Sequence, residues 1–178
     1  STDGLCIETA PDVCVELGTY ALDVTLPADG GNYYVVYQRC CRNNTIVNIV
    51  DPGGTGNTYF VTIPALTADD GCINNSAIFN NFPPILVCAN SPLVFDHSAF
   101  DLDGDSLSYS LCTPLDGASR DNPMPLTAPP PPYDPILWLN PPYSELDMLG
   151  GTPPLSIDPE TGELTAFPET VGQFVVGI

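Results

Sequence analysis

Asp101, Asp103 and Asp105, spaced two apart around Gly104, are the strongest chemical signal in the chain. Hard oxygen donors at alternate positions suit a hard cation, whereas the same residues without metal make a solvated, Asx-rich turn. The stretch that follows, Ser106 to Leu111, alternates. Leu107, Tyr109 and Leu111 face one way and Ser106, Ser108 and Ser110 the other. A period of two predicts a β-strand with one buried face, so the carboxylates sit in the turn that feeds it. The loop is not an EF-hand, because no glycine follows its third acid and no glutamate stands at the bidentate position.

The other chemistry-bearing residues are sparse. His97, the single histidine, is the only side chain with the ordinary pKa of a neutral-pH base. No serine or cysteine lies in a recognised nucleophile motif, and Glu160 and Glu163 sit together at one hairpin tip rather than across a cleft. The expectation is a protein that is not an enzyme. Tyr133, Trp138 and Tyr143, on a proline-stiffened stretch, are candidate sugar-stacking rings if they are exposed and coplanar. The seven cysteines are Cys6, Cys14, Cys40, Cys41, Cys72, Cys88 and Cys112. None has the C-x2-C spacing of a zinc site, and all are candidates for disulfides. An odd count leaves one thiol over. Cys88–Cys112 is the favoured bridge, Cys6–Cys14 can close a short loop, and Cys40 or Cys41 to Cys72 is a further pairing.

Composition narrows the classes. Twenty-two acids stand against Arg39, Arg42 and Arg120, with no lysine, giving a net charge of -19. Such a chain cannot neutralise phosphates, which argues against nucleic acid and against anionic membrane surfaces. No apolar run approaches the roughly 20 residues of a membrane span. Many cysteines without lysine suit an oxidising, extracellular setting. The chain starts at Ser1 in mid-pattern and stops at Ile178 in an apolar run, as a piece of a longer secreted protein is expected to do.

The elements that must position these residues read as strands. Val13–Leu17 and Tyr20–Leu26 are expected strands, the latter with Tyr20, Leu22, Val24 and Leu26 on one face. Tyr33–Cys40 is the most strand-like run, expected to be turned by Asn43-Asn44 and answered by Thr45–Val50. Thr58–Ile63 is another strand. Asn80-Asn-Phe-Pro-Pro84 reads as a boundary, dividing an immunoglobulin-like unit at 1–79 from a second sandwich at 80–178. The second unit opens with Ile85–Cys88 and carries a proline-rich loop at 113–143. It ends with the hairpin Leu155–Thr165 around Asp158–Gly162 and a last strand from Gly172. No helical periodicity of useful length appears, so the expected class is all-β.

Three phrases resemble the cadherin-like and immunoglobulin-like repeats of bacterial surface proteins: Asn80-Asn-Phe-Pro-Pro84, Phe100-Asp-Leu-Asp-Gly-Asp-Ser-Leu-Ser-Tyr109, and Leu155–Thr165 with Gly172-Gln-Phe174. Together with Tyr34-Val-Val-Tyr-Gln-Arg-Cys-Cys-Arg-Asn43, Phe79–Pro84, Pro130-Pro-Pro-Tyr133 and Val171-Gly-Gln-Phe-Val-Val176, the pattern resembles very large adhesins of gliding Bacteroidota. These SprB-like proteins are exported by the type IX secretion system. The resemblance implies tandem immunoglobulin/cadherin-like β-sandwich domains with disulfides. It also implies calcium (Ca2+) held by Asp101, Asp103 and Asp105, with Asn80 or Asn81 as further ligands. The implied function is an extracellular structural or adhesive segment of a long, calcium-rigidified fibre at the bacterial outer surface, acting in attachment or gliding. Its expected partners are neighbouring repeats of the same chain, an extracellular polysaccharide or surface, and other copies of the fibre. The alternative is a carbohydrate-binding module using Tyr133, Trp138 and Tyr143.

Overall fold

The computed structural model describes residues 18–27, 30–65, 74–84 and 86–178. Its strands run in the order β1 (Tyr33–Arg39), β2 (Asn57–Ile63), β3 (Ile78–Phe79), β4 (Leu93–Asp96), β5 (Ala99–Phe100), β6 (Ser156–Ile157) and β7 (Glu163–Ala166). They form three separate sheets, β1-β2, β3-β5 and β4-β7-β6, all antiparallel. No helix occurs among the described residues. The all-β class is as expected, but the tandem immunoglobulin/cadherin-like sandwich is not. The sheets are small and open, and none closes on itself or curls.

The physical reason lies in strands that alternate in sequence but form no ladder. Thr45–Val50 does not answer β1; β2 does, in register from Tyr33↔Ile63 to Arg39↔Asn57. Among the described residues Tyr20–Leu26 and Ser106–Leu111 pair with nothing as strands, and the stretch from Gly172 contributes one isolated bridge, Ile46↔Gln173. Twenty-one prolines, each lacking a backbone donor, interrupt the pairing elsewhere. Leu86–Cys88 is likewise not a strand. The expected strand Val13–Leu17 lies outside the described residues.

The hairpin near the C-terminus follows its sequence closely. Asp158 Oδ1 accepts the backbone N–H groups of Glu160 (2.9 Å) and Thr161 (2.8 Å), and Gly162 donates to the Asp158 carbonyl. These bonds to the ionised carboxylate hold Asp158 below its ordinary pKa, the Thr161 amide first. Gly162 sits at φ +73, where a side chain is strained. The turn therefore sets β6 against β7, and β7 against β4, with Leu93 opposite Ala166 and Phe95 opposite Leu164. Those four share one face, and Leu164 and Ala166 are buried there with Met148, Leu149 and Leu155.

A second apolar cluster joins Ile49, Ile136 and Val175, and Trp138 packs against both clusters. Residues on both sides of the expected 79/80 junction thus share one core. Val50 N–H donates to the Leu137 carbonyl, Leu139 N–H to Asn48, and Val47 N–H to Gln173. The segment Ile46–Val50 therefore lies between the Trp138 segment and the C-terminal segment, linked to each by backbone bonds.

Asn48 is the polar centre of this arrangement and is fully buried. Its Nδ2 donates to the carbonyls of Met148 (2.9 Å) and Val175 (2.8 Å), and its Oδ1 accepts from the Val175 N–H (3.0 Å). One carboxamide satisfies three backbone groups from two segments that have no ladder partner of their own. Replacing Asn48 by Ala leaves those groups buried and unpaired, at about 1–3 kcal/mol each before relaxation. Asn48→Ala should therefore destabilise the protein by roughly 3–5 kcal/mol in urea unfolding. Asn48→Asp, which sets a carboxylate against two carbonyl oxygens, should be at least as damaging.

Candidate functional site

The acidic turn closes on itself. Asp101 Oδ1 accepts the backbone N–H groups of Asp103 (2.8 Å) and Asp105 (3.3 Å), forming an Asx turn with Gly104 at φ +84. Asp103 accepts from the backbone and side-chain amides of Asn75. Asn80 donates from its backbone and side chain to Ser98, and Asn81 Nδ2 donates to Asp96. The calcium expectation is therefore corrected: among the described residues no group of three or more His, Cys, Asp or Glu comes together to hold a metal ion. The reason is geometric. The Asp101 carboxylate turns back on the loop's own amides, the Asp103 carboxylate turns to Asn75, and the two asparagines face Ser98 and Asp96.

The three aromatic candidates do not form a platform. Trp138 is half-buried against both apolar clusters, with Nε1 donating to Thr113 Oγ1 at 3.1 Å. Tyr143 is buried and meets Phe174 edge-on at 5.9 Å. Only Tyr133 lines an open surface. Its ring packs edge-on against Phe60 at 5.3 Å, and its hydroxyl donates to the Pro129 carbonyl at 2.8 Å.

Tyr133 borders a cleft of about 430 Å³, shared with Gln38, Asp116, Asn122 and Asp134. The sheet and the loop after Leu115 meet backbone to backbone. A Cβ on Gly56 would lie 1.6 Å from the Gly117 carbonyl oxygen, and one on Gly117 would lie 2.0 Å from Thr58 Oγ1, so neither position admits a side chain. Gln38 and Thr58 are cross-strand partners. Gln38 Nε2 donates to Thr58 Oγ1 at 2.9 Å, and that hydroxyl donates to the Asp116 carbonyl at 2.5 Å. Asp116 Oδ1 accepts from the N–H groups of Gly56 (2.6 Å) and Gly117 (2.7 Å). Behind them the Arg42 guanidinium donates to the carbonyls of Gly56 and Leu115. Burial lowers its pKa from the ordinary value, against the opposing pull of Tyr59 and Asp116. In the same loop the exposed Arg120 pairs with Asp51 at 2.8 Å. The result is a rigid rim carrying two carboxylates, two amides and one aromatic ring. Sequence reading reached Tyr133 but not Gln38, Asp116, Asn122 or Asp134. The Gly56 and Gly117 pair was the available signal, since glycine often marks close backbone approach.

The cysteines differ from the favoured pairing. Cys40 and Cys41 are bonded to each other, and Cys88 is disulfide-bonded. Cys112 is free, so Cys88–Cys112 does not form, and neither Cys40 nor Cys41 reaches Cys72. Burial, and then the Glu145 carboxylate, push the Cys112 thiol above its ordinary pKa, which disfavours the reactive thiolate. Cys6, Cys14 and Cys72 lie outside the described residues.

His97 is buried and stacked on Phe79 at 4.3 Å, with Phe95 at 5.9 Å. Its Nδ1 has no hydrogen-bond partner among the described residues. Burial pushes its pKa below the ordinary value, and the neighbouring Asp96 carboxylate opposes that shift. Bonds from Ser98 in turn hold Asp96 below its own ordinary pKa.

Among the described residues no helix is long and apolar enough to cross a membrane. No protein-family model, curated protein or solved structure matches the chain.

Two outcomes follow from this geometry. Asp101→Ala should cost about 1 kcal/mol, the worth of a lost turn hydrogen bond, and the loss should be the same with calcium as with a chelator in urea unfolding. His97 binds its proton less readily folded than unfolded. Stability should therefore fall as pH drops through about 6.5 toward the lower folded-state pKa. Thermal melts of His97→Phe, which removes the unpaired nitrogen and keeps an aromatic ring on Phe79, should lose that part of the pH dependence. Acid loss at still lower pH, where Asp96 and Asp158 protonate, should remain.

Proposed function

We propose that this chain is an extracellular structural and adhesive segment of a long cell-surface fibre, non-catalytic, acting in attachment or gliding. The observation that carries the reading is the oxidised state of Cys40, Cys41 and Cys88, since disulfides persist in extracytoplasmic compartments. An acidic surface without lysine and the resemblance to gliding-bacterium adhesins support it. The segment acts mechanically. The buried Asn48 and the glycine-to-glycine contact between the β1-β2 sheet and the cleft loop tie distant parts of the chain together. Rigidity comes from these contacts, not from a cation in the acidic turn. A labelled Fab raised against the folded segment should stain intact, unpermeabilised cells and lower their attachment to a surface. Staining confined to permeabilised cells would sink the reading.

A second reading, saccharide binding, draws support from the cleft. Tyr133 with the carboxylates of Asp116 and Asp134 and the amides of Gln38 and Asn122 offers one apolar ring face among polar groups, the usual makeup of a sugar site. On a glycan array Tyr133→Ala should lose whatever saccharide signal the native chain gives, while the Trp138 and Tyr143 positions serve the core. Retained binding in Tyr133→Ala would remove the cleft as the sugar site.

A further inference from the structure

The segment Gly18–Pro27 alternates apolar and polar residues as a strand does, yet it pairs with no strand among the described residues. Tyr20 is 97% exposed, Leu22 85% and Val24 63%. Four apolar side chains on one face of an extended segment, all but Leu26 standing in water, are the pattern of a strand whose ladder comes from elsewhere.

The acceptor is on the same chain. In β1-β2 the Thr58 N–H points away from β1 to the Leu115 carbonyl, and the Cys40 N–H points away from β2 to Pro123. Backbone direction alternates along an antiparallel pair, so Tyr34, Val36 and Gln38 direct their N–H and C=O groups outward on β1, and Phe60 and Thr62 on β2. On β2 that edge is already engaged at Gly56 and Thr58. On β1 the outward backbone groups of Tyr34, Val36 and Gln38 meet no partner among the described residues, which makes it the longer open edge. It carries no lysine and no proline, the residues that commonly guard such edges. Val35, Tyr37, Tyr59 and Val61 lie together on one face by register and are all exposed.

The segment does not reach this edge in its own chain. Tyr33 Oη donates to the Pro27 carbonyl at 2.5 Å. The Tyr33 side chain stands on the Val35 and Tyr37 face of the sheet, so Pro27 is held off the sheet plane rather than beside the edge. Charge points to a like partner. In a chain of net charge -19, residues 18–27 carry one acid (Asp23), β1 one cation (Arg39) and β2 no charge. This is a near-neutral region where two strongly acidic copies can approach with little local repulsion.

We propose that Thr19–Leu26 of a second copy of this chain adds as a strand to the open edge of β1, each copy giving one strand and receiving one. Such an exchange is isologous and closes as a two-fold dimer. Tyr20, Leu22, Val24 and Leu26 then extend the apolar face of Val35 and Tyr37. This surface meets the cleft at Gln38, whose side chain lines the cleft, and the inference stands or falls independently of the fibre reading.

The test is light scattering after size exclusion on the full chain across a concentration series, with hydrogen exchange on the Thr19–Leu26 amides. The native chain should show a concentration-dependent dimer with those amides protected. Leu22→Asp/Val24→Asp should be monomeric with an unchanged melting curve, because these exposed side chains contribute nothing to the monomer's core. A native chain that stays monomeric overturns the proposal, whether its amides are unprotected or are protected by folding onto its own sheet. A dimer that survives Leu22→Asp/Val24→Asp also overturns it, since the contact then lies elsewhere.

Discussion

The carboxamide of Asn48 is the constraint on which the core depends. The segments around Ile46–Val50, Met148 and Val175 carry apolar side chains that must be buried, but their backbones form no continuous ladder. Burying an unpaired peptide group costs as much as the apolar contact gains. A single side chain with two donors and an acceptor resolves that conflict at one point. An aliphatic residue in its place leaves the conflict standing. The packing of Ile49 on Ile136 and Val175, and of Trp138 between the two clusters, follows from having this point satisfied.

The cleft obeys the same logic in reverse. There the approach of two backbones, Gly56 to Gly117, comes first, and polar side chains fill in around it. Asp116 accepts two amides, Thr58 links Gln38 to the Asp116 carbonyl, and Arg42 covers the carbonyls of Gly56 and Leu115. An irregular, proline-rich loop becomes rigid because nearly every group facing the sheet has a named partner. Around this loop the exposed features are the cleft rim at Tyr133 and the sheet face at Tyr37 and Tyr59.

The parts that were legible beforehand are those decided within a few residues. The turn at Asp158–Gly162 needs an Asx side chain and a glycine at positive φ, and both are local requirements. The strands at β1 and β2 are visible from β-branched and aromatic residues. The acidic stretch forms the turn its spacing predicts but not the metal site. Carboxylate spacing is local, but which way each carboxylate faces depended on Asn75 and on the loop's own amides. The aromatic platform failed for a similar reason: Trp138 and Tyr143 have more apolar surface to bury than the loop alone could offer, and the rest of the chain supplied it.

By itself the sequence determined the all-β class, the acidic surface, the local turns and the strands of the β1-β2 hairpin, because propensity, charge and turn chemistry act over a handful of residues. Only the tertiary structure decided that β1 pairs with β2 rather than Thr45–Val50 and that Cys40 bonds Cys41 while Cys112 stays free. It alone decided that the described residues make small open sheets instead of sandwiches, and that Asn48 bonds the Met148 and Val175 segments. Alternating apolar residues declare that a segment wants a partner. Which partner it finds is settled by competition among all segments for a limited set of backbone bonds and buried contacts, and that competition has no local signature.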